Sequence, residues 1–141
     1  MKAHLTAIKR NKISAPMTYL ATNGFFNSYL CLDYGCGRGF DADAFGFEKY
    51  DPHYFPQRPT KSYDIITCNY VLNVVEETEA DKIIADIRSL LNTGGVAYIT
   101  VRRDVKKDGL TSRGTFQRNV VLSLPTVAEK KGQFCIYKLT K

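Results

Sequence analysis

The chain has 141 residues, 44% of them hydrophobic and 24% charged, with a formal net charge of +6. That length suits one domain able to bury roughly two-thirds of the surface its unfolded form exposes, and no apolar run approaches the ~18 residues of a membrane span. The opening MKAHLTAIKRNK is basic but lacks the apolar stretch and small-residue cleavage site of a secretory signal, so the expected setting is cytoplasmic, with no membrane partner.

In chain order, Ser14-Ala15-Pro16 followed by MTYLATNG predicts a short helix, with Ser14 as its cap, Pro16 in its first turn and Gly24 closing it. FNSYLCLDYG predicts a strand apolar on both faces, as in the middle of a parallel sheet. A loop with glycines at 35, 37 and 39 follows directly. FDADAFG allows a turn or two of helix before Gly46, and GFEKYDPHYF predicts a second strand at about Phe47 to Tyr50, ending near Asp51-Pro52. QRPTK reads as loop and SYDIITCNYVL as the next strand, ending around Cys68 to Asn69.

In EETEADKIIADIRSLLN, Ile83, Ile84, Ile87, Leu90 and Leu91 recur at helical spacing, and Thr93-Gly94-Gly95 ends the run. GVAYITVRR predicts a further buried strand. Residues 102–118 are polar and basic and predict a long loop; NVVLSLP and QFCIYKL predict two strands, paired as an antiparallel hairpin across TVAEKKG. Strands alternating with helices argue for an α/β sheet closed by that hairpin.

Cys31, Cys36, Cys68 and Cys135 show no CxxC spacing, and His4 and His53 lie far apart, so no metal site is expected. Cys31 and Cys135 fall in strand-like runs, where free cysteine acts as a small hydrophobe. Residues 1–12 and 102–141 are basic around an acidic middle. Brought together, the ends would form a positive surface for polyphosphate or nucleic acid; the alternative is solvated faces that aid solubility.

The residues with most chemistry in them are CLDYGCGRGFD, from Cys31 to Asp41. Glycine is used where φ must be positive or where another molecule approaches the chain closely, and in open α/β sheets ligands bind beyond the carboxyl ends of the strands, with such a loop as floor. The loop is neither GxxxxGK nor GxGxxG, since Phe40 stands where the third glycine of the latter belongs. Asp33 ends a buried strand, where an unpaired charge is costly; loop amides or a ligand ammonium are its expected partners. Asp51, at the end of the second strand, is placed to accept hydrogen bonds from both hydroxyls of a ribose. Its alternative role is that of a turn-forming Asp before Pro52.

DYGCGRG, then YDP, then YDIITCNYVLNVV, then the strand after Gly94-Gly95, resemble in order the class I methyltransferases that use S-adenosylmethionine, over about residues 29–101. The resemblance implies a Rossmann-like, mostly parallel sheet with S-adenosylmethionine as cofactor. It places Asp33, Gly35, Cys36, Gly37 and Gly39 against the methionine part and Asp51 on the ribose. Cys68, Asn69, Tyr70 and Val71 then lie beside the adenine or the methyl group. More loosely, HLTAIKRNKISAP is similar to the start of methyltransferases associated with DNA phosphorothioation. On this reading one domain spans 1–141: a basic, helical start (1–24), a cofactor-binding core (29–101), and a basic loop with a hairpin (102–141).

Departures from the pattern matter too. Between Asp51 and Ile65 there are too few residues for the usual helix and third strand, so one sheet edge is expected to be missing. Adenine contacts would then come from Pro52, His53 and Tyr54, and the exposed edge would favour a homodimer. CNYV at 68–71 differs from the acid or asparagine, two prolines and aromatic found in many amino-methyltransferases of DNA, which weakens the case for a flipped base. Methyl transfer from a sulfonium needs mainly positioning and exclusion of water. Asn69 and Tyr70 are the expected catalytic, acceptor-orienting residues, with Asn73 a weaker one. Arg10, Arg102 and Arg103, with Lys106 and Lys107, are expected to receive phosphate of an acceptor that is nucleic acid or another anionic molecule. The competing reading is a non-catalytic cofactor- or nucleic-acid-binding protein that acts with a partner.

Overall fold

The computed structural model describes residues 3–28 and 30–141; Met1 and Lys2 of the basic start and Tyr29 of the first predicted strand lie outside them. Strands buried on both faces read as continuous apolar runs, and the two longest such runs form the middle of the sheet. They are β3 (Tyr63–Asn69) and β4 (Leu91–Arg102). β1 (Cys31–Tyr34) lies parallel to β3, and β2 (Glu48–Tyr50) parallel to β1. On the other side, β8 (Phe134–Thr140) runs antiparallel to β4, and β7 (Thr126–Lys130) closes the sheet against β8. The order is β2-β1-β3-β4-β8-β7. A separate two-stranded hairpin joins β5 (Gly109–Leu110) to β6 (Phe116–Gln117).

Helices cover both faces. α1 (Ala15–Thr22) puts Met17 and Leu20, both fully buried, against Cys31, Ile65, Tyr98 and Ile136. α3 (Glu77–Leu90) lays Ile83, Ile87 and Leu90 on the opposite face against Leu32, Ile66, Ile99 and Leu139. Along β3 the side chains alternate between the two covered faces, Ile65 under α1 and Ile66 under α3, and this decides which of its end residues reaches the ligand side. α2 (Phe40–Phe45) is the short helix expected after the glycine loop.

Between Asp51 and Tyr63 there is no third strand. The chain makes one bridge, Asp51 to Phe55, then runs as coil with Arg58 bidentate on Asp86 at 2.7 Å and lying 5.2 Å over the Tyr50 ring. The free edge this leaves on β2 is three residues long and carries Glu48 and Lys49; short, charged edges resist pairing with another chain. Among the described residues no helix is long and apolar enough to cross a membrane.

Three expectations need correction. NVVLSLP forms no strand: Val120, Leu122 and Leu124 turn inward while Val121 is 83% exposed, so the alternation covers the core without a ladder partner. The hairpin strand is instead β7, starting after Pro125, whose carbonyl accepts the Lys138 N–H at 2.9 Å. Residues 102–118, read as plain loop, contain the β5–β6 hairpin. Ser14 occupies the N-cap of α1 but makes no side-chain cap bond; its hydroxyl donates to Asp41 Oδ2 at 2.6 Å and its N–H to Oδ1 at 3.0 Å.

Candidate active site

β1, β3 and the glycine loop open onto a crevice of about 1210 Å³ beyond the carboxyl ends of the strands. The loop is tied to the end of β2. Gly35 and Cys36 donate their N–H groups to the Tyr50 carbonyl at 2.7 and 3.1 Å, and Gly37 donates to Asp51 Oδ2 at 2.8 Å. Asp51 Oδ1 accepts from His53 and Tyr54 N–H at 2.9 and 3.1 Å, so its carboxylate knots both chain segments. Gly35 sits at φ +77°, and a Cβ there would collide with the Val71 side chain. Gly39, also at positive φ, starts α2, and a Cβ there would meet Lys49 and Phe55. Its need for glycine therefore comes from packing behind the loop, not from the ligand side.

The floor is acidic. Asp33 is only 4% exposed and accepts from Thr67 Oγ1 at 2.9 Å. The loop amides expected to pair with it are spent on Tyr50 and Asp51 instead. Burial pushes its carboxyl up to about 7, the hydroxyl of Thr67 opposes, Asp41 and Asp51 raise it further, and the Arg10 charge lowers it. Asp41 and Asp51 line the same crevice. The Cys36 thiol there is held protonated, raised by burial first and then by Asp33 and Asp51, so it offers no nucleophile.

The far wall follows β3. Tyr70 is the one non-glycine at positive φ among the described residues, at +63°, and its N–H donates to the Thr100 carbonyl at 2.9 Å. A bulky residue in that region stores strain, and such strain collects at functional sites. Asn69 lines the crevice, and both polar atoms of its side chain are buried without a partner. Val71 packs over Gly35.

Cys68 differs from expectation. It points to the opposite face of β3, fully buried in the cluster under α3, so its thiol does not line the crevice. Asn73 also differs: it is fully buried, its Oδ1 accepts the Arg102 N–H at 2.7 Å and its Nδ2 donates to the Arg118 carbonyl at 2.8 Å, which makes it a clamp. Arg102 ends β4 and Arg103 lies just past it, and their guanidinium groups part. Arg102 lines the crevice with its guanidinium bidentate on Asp104. Arg103 does not line it; its guanidinium donates to the Val120 carbonyl at 2.6 Å and to Tyr137 Oη at 2.7 Å. Arg103 is thus a structural link and not a phosphate receptor.

The amino-terminal segment roofs the crevice. The His4 ring stacks on His53 at 3.9 Å and 11°. Ala7 stands 3.3 Å from where a Cβ on Gly37 would be, and Arg10 lines the space above Asp33. Pro52 and His53 line the same end, as the order of residues suggests. His4, Ala7, Asp41 and Gln117 were not expected here. Asp41 alone had a local signal, an acid in the first turn of the helix after the loop.

Residues 7–129 match the family described as a methyltransferase domain. The chain belongs to that family. Its fold is shared with solved structures of low identity. The glycopeptide N-methyltransferase MtfA, complexed with S-adenosyl-L-homocysteine, matches with a TM-score of 0.59 at 11% identity over 97% of this chain and 95% of that one. TehB from Haemophilus influenzae matches with a TM-score of 0.59 at 12% identity over 94% and 63%. The magnesium protoporphyrin IX methyltransferase ChlM from Synechocystis PCC 6803, with bound S-adenosylmethionine, matches with a TM-score of 0.51 at 14% identity over 88% and 75%. No curated protein matches the chain. The Rossmann-like class I methyltransferase sheet expected from the sequence, with its third strand missing, is the fold of this methyltransferase-family chain.

Proposed function

We propose that the chain is an S-adenosylmethionine-dependent methyltransferase whose cofactor lies between the glycine loop and Tyr70. The observation that carries this is Asp33: a nearly inaccessible carboxyl, flanked by two further acids, with acceptor capacity left after its one bond to Thr67. A cation is the partner such a group lacks. Bound there, S-adenosylmethionine supplies a methyl group already activated on a sulfonium.

The residues fit this group. Asp33 would take the ammonium, and Gly35 and Gly37, which add no side chains of their own, would lie with Cys36 along the methionine part. After its three backbone bonds Asp51 keeps about one accepting site, on Oδ2, for a ribose hydroxyl. Pro52 and His53 would flank the adenine and Val71 the methyl end, while Cys68 acts through its backbone alone. Asn69 and Tyr70 would orient the acceptor, and the roof formed by His4 to Arg10 would keep water out.

The acceptor is read as nucleic acid or another anionic molecule. Support comes from the basic ends of the chain and from Arg10, which lines the crevice, with Lys106 and Lys107 on the loop after β4. The charge of Arg102 is already matched by Asp104. Incubation with methyl-labelled S-adenosylmethionine and separate DNA, RNA and small-molecule pools tests both parts. Label in a nucleic-acid pool that falls as salt rises supports the reading; label confined to small molecules removes nucleic acid; cofactor binding without any transfer leaves a binding role only.

A further inference from the structure

Among the described residues, buried side-chain atoms without a hydrogen-bond partner occur on Asn69, Thr100 and Gln117. Buried polar groups are nearly always paired, so each exception asks for an explanation. Thr100 stands beside Asn69 in the register of β3 and β4, and Asn69 and Gln117 line the same crevice. Gln117 comes from β6, far along the chain, and is brought here by a built joint. The Arg118 N–H donates to the Asn73 carbonyl at 2.9 Å, Asn73 Nδ2 donates to the Arg118 carbonyl at 2.8 Å, and Arg118 Nε donates to the Val75 carbonyl at 2.7 Å. Three bonds of Arg118, the residue after β6, thus fix the end of β6 to Asn73 and Val75, in and just past the 3₁₀ turn Leu72–Val74.

We propose that Asn69 and Gln117 form the acceptor subsite of the crevice and take a planar group that carries an N–H beside a hydrogen-bond acceptor. The proposal rests on the methyltransferase reading and adds the chemistry of the second substrate. A carboxamide with both its oxygen and its nitrogen unpartnered, as at Asn69, is matched by a neighbouring donor and acceptor in one plane. A phenol or a carboxylate cannot offer that pair side by side: the phenol carries its donor and its acceptor on one oxygen, and an ionised carboxylate only accepts. The second carboxamide, at Gln117, adds a further polar contact to such a group. Two sources carry this edge, an aminated heterocycle and a primary carboxamide. The volume of about 1210 Å³ exceeds the 300–1,000 Å³ typical of one ligand, which leaves space for both substrates.

The test reads the side-chain amide resonances of Asn69 and Gln117 in ¹⁵N-labelled full-length protein saturated with S-adenosylhomocysteine, assigned through Asn69→Ala and Gln117→Leu. Millimolar 2-aminopyridine in its neutral form and benzamide should each move both signals saturably, while phenol and benzoate should not. A response to one of the two names the source. Shifts absent with both, or equal with phenol, overturn the proposal. Gln117→Leu should weaken the 2-aminopyridine response at Asn69 by about fivefold or more while leaving S-adenosylhomocysteine affinity within about twofold. An equal loss of both would assign Gln117 to the cofactor and overturn the subsite. Failure of S-adenosylhomocysteine to bind the wild type is a separate result and removes the methyltransferase reading itself.

Discussion

Asp51 Oδ2 accepts the N–H of Gly37 at 2.8 Å, so the two site positions most evident in the sequence hold each other. The same carboxylate accepts two more amides, from His53 and Tyr54. Asparagine keeps one accepting oxygen and turns an NH2 toward the other side. Asp51→Asn should therefore lose about 1–3 kcal/mol of stability, and Asp51→Ala more, since hydrogen bonds to a charged group are worth about 1.5–3 kcal/mol each. Urea unfolding of the three proteins measures this, and equal midpoints would show that the knot does not matter.

Asp33 should make stability and cofactor binding respond to pH in opposite directions. Its folded carboxyl keeps its proton up to about 7, whereas an unfolded one releases it near about 4. The raised value means that this contribution to stability is complete below about pH 4 and is lost as pH rises through about 7. A cation on Asp33 prefers the carboxylate, so affinity for S-adenosylmethionine should rise roughly tenfold between about pH 6 and pH 8. Asp33→Asn should flatten both curves and weaken binding; unchanged pH dependence in the variant would assign the effect elsewhere.

Gly35→Ala should be destabilising through two terms, the left-handed backbone, worth about 1–2 kcal/mol, and the collision with Val71. Only the second depends on its neighbour. In the background Val71→Ala the same change should cost less, with a coupling of about 1 kcal/mol in a double-mutant cycle. Strict additivity would mean that Val71 moves aside freely.

Asn73 was expected to touch the acceptor and instead joins Arg102 to the β6 hairpin. Asn73→Ala leaves the half-buried Arg102 N–H and Arg118 carbonyl without this partner, and should lower stability by about 1–3 kcal/mol. Affinity for S-adenosylhomocysteine should stay within about threefold, because the clamp lies outside the cofactor residues. Thermal unfolding and calorimetry on one preparation separate the two effects.

Signals carried within a few residues were legible. The order of glycine loop, acid and apolar strand located the crevice, and Ile83, Ile84 and Ile87 announced α3. Parity along a strand was not. Cys68 and Asn69 differ by one residue, and only the packing of Ile66 under α3 decides that the cysteine turns inward. Arg102, the last residue of β4, and Arg103, just past it, likewise differ by one position and are sent to different partners by the fold. Val120, Leu122 and Leu124 alternate as a strand would, yet alternation reports a buried face and says nothing about a ladder partner. The stacking of His4 on His53 and the arrival of Gln117 join segments distant in sequence, so no local pattern could announce them.

The central claim is that the acid-floored crevice beneath residues 4–10 holds a nucleoside sulfonium. Calorimetric titration of the wild type and Asp51→Ala with S-adenosylmethionine, at a pH above the Asp33 transition, tests it most directly. One site per chain in the wild type and a loss of at least about tenfold in affinity, or about 1.4 kcal/mol, in the variant is the predicted result. No binding by the folded wild type, or equal affinity in both proteins, would contradict it.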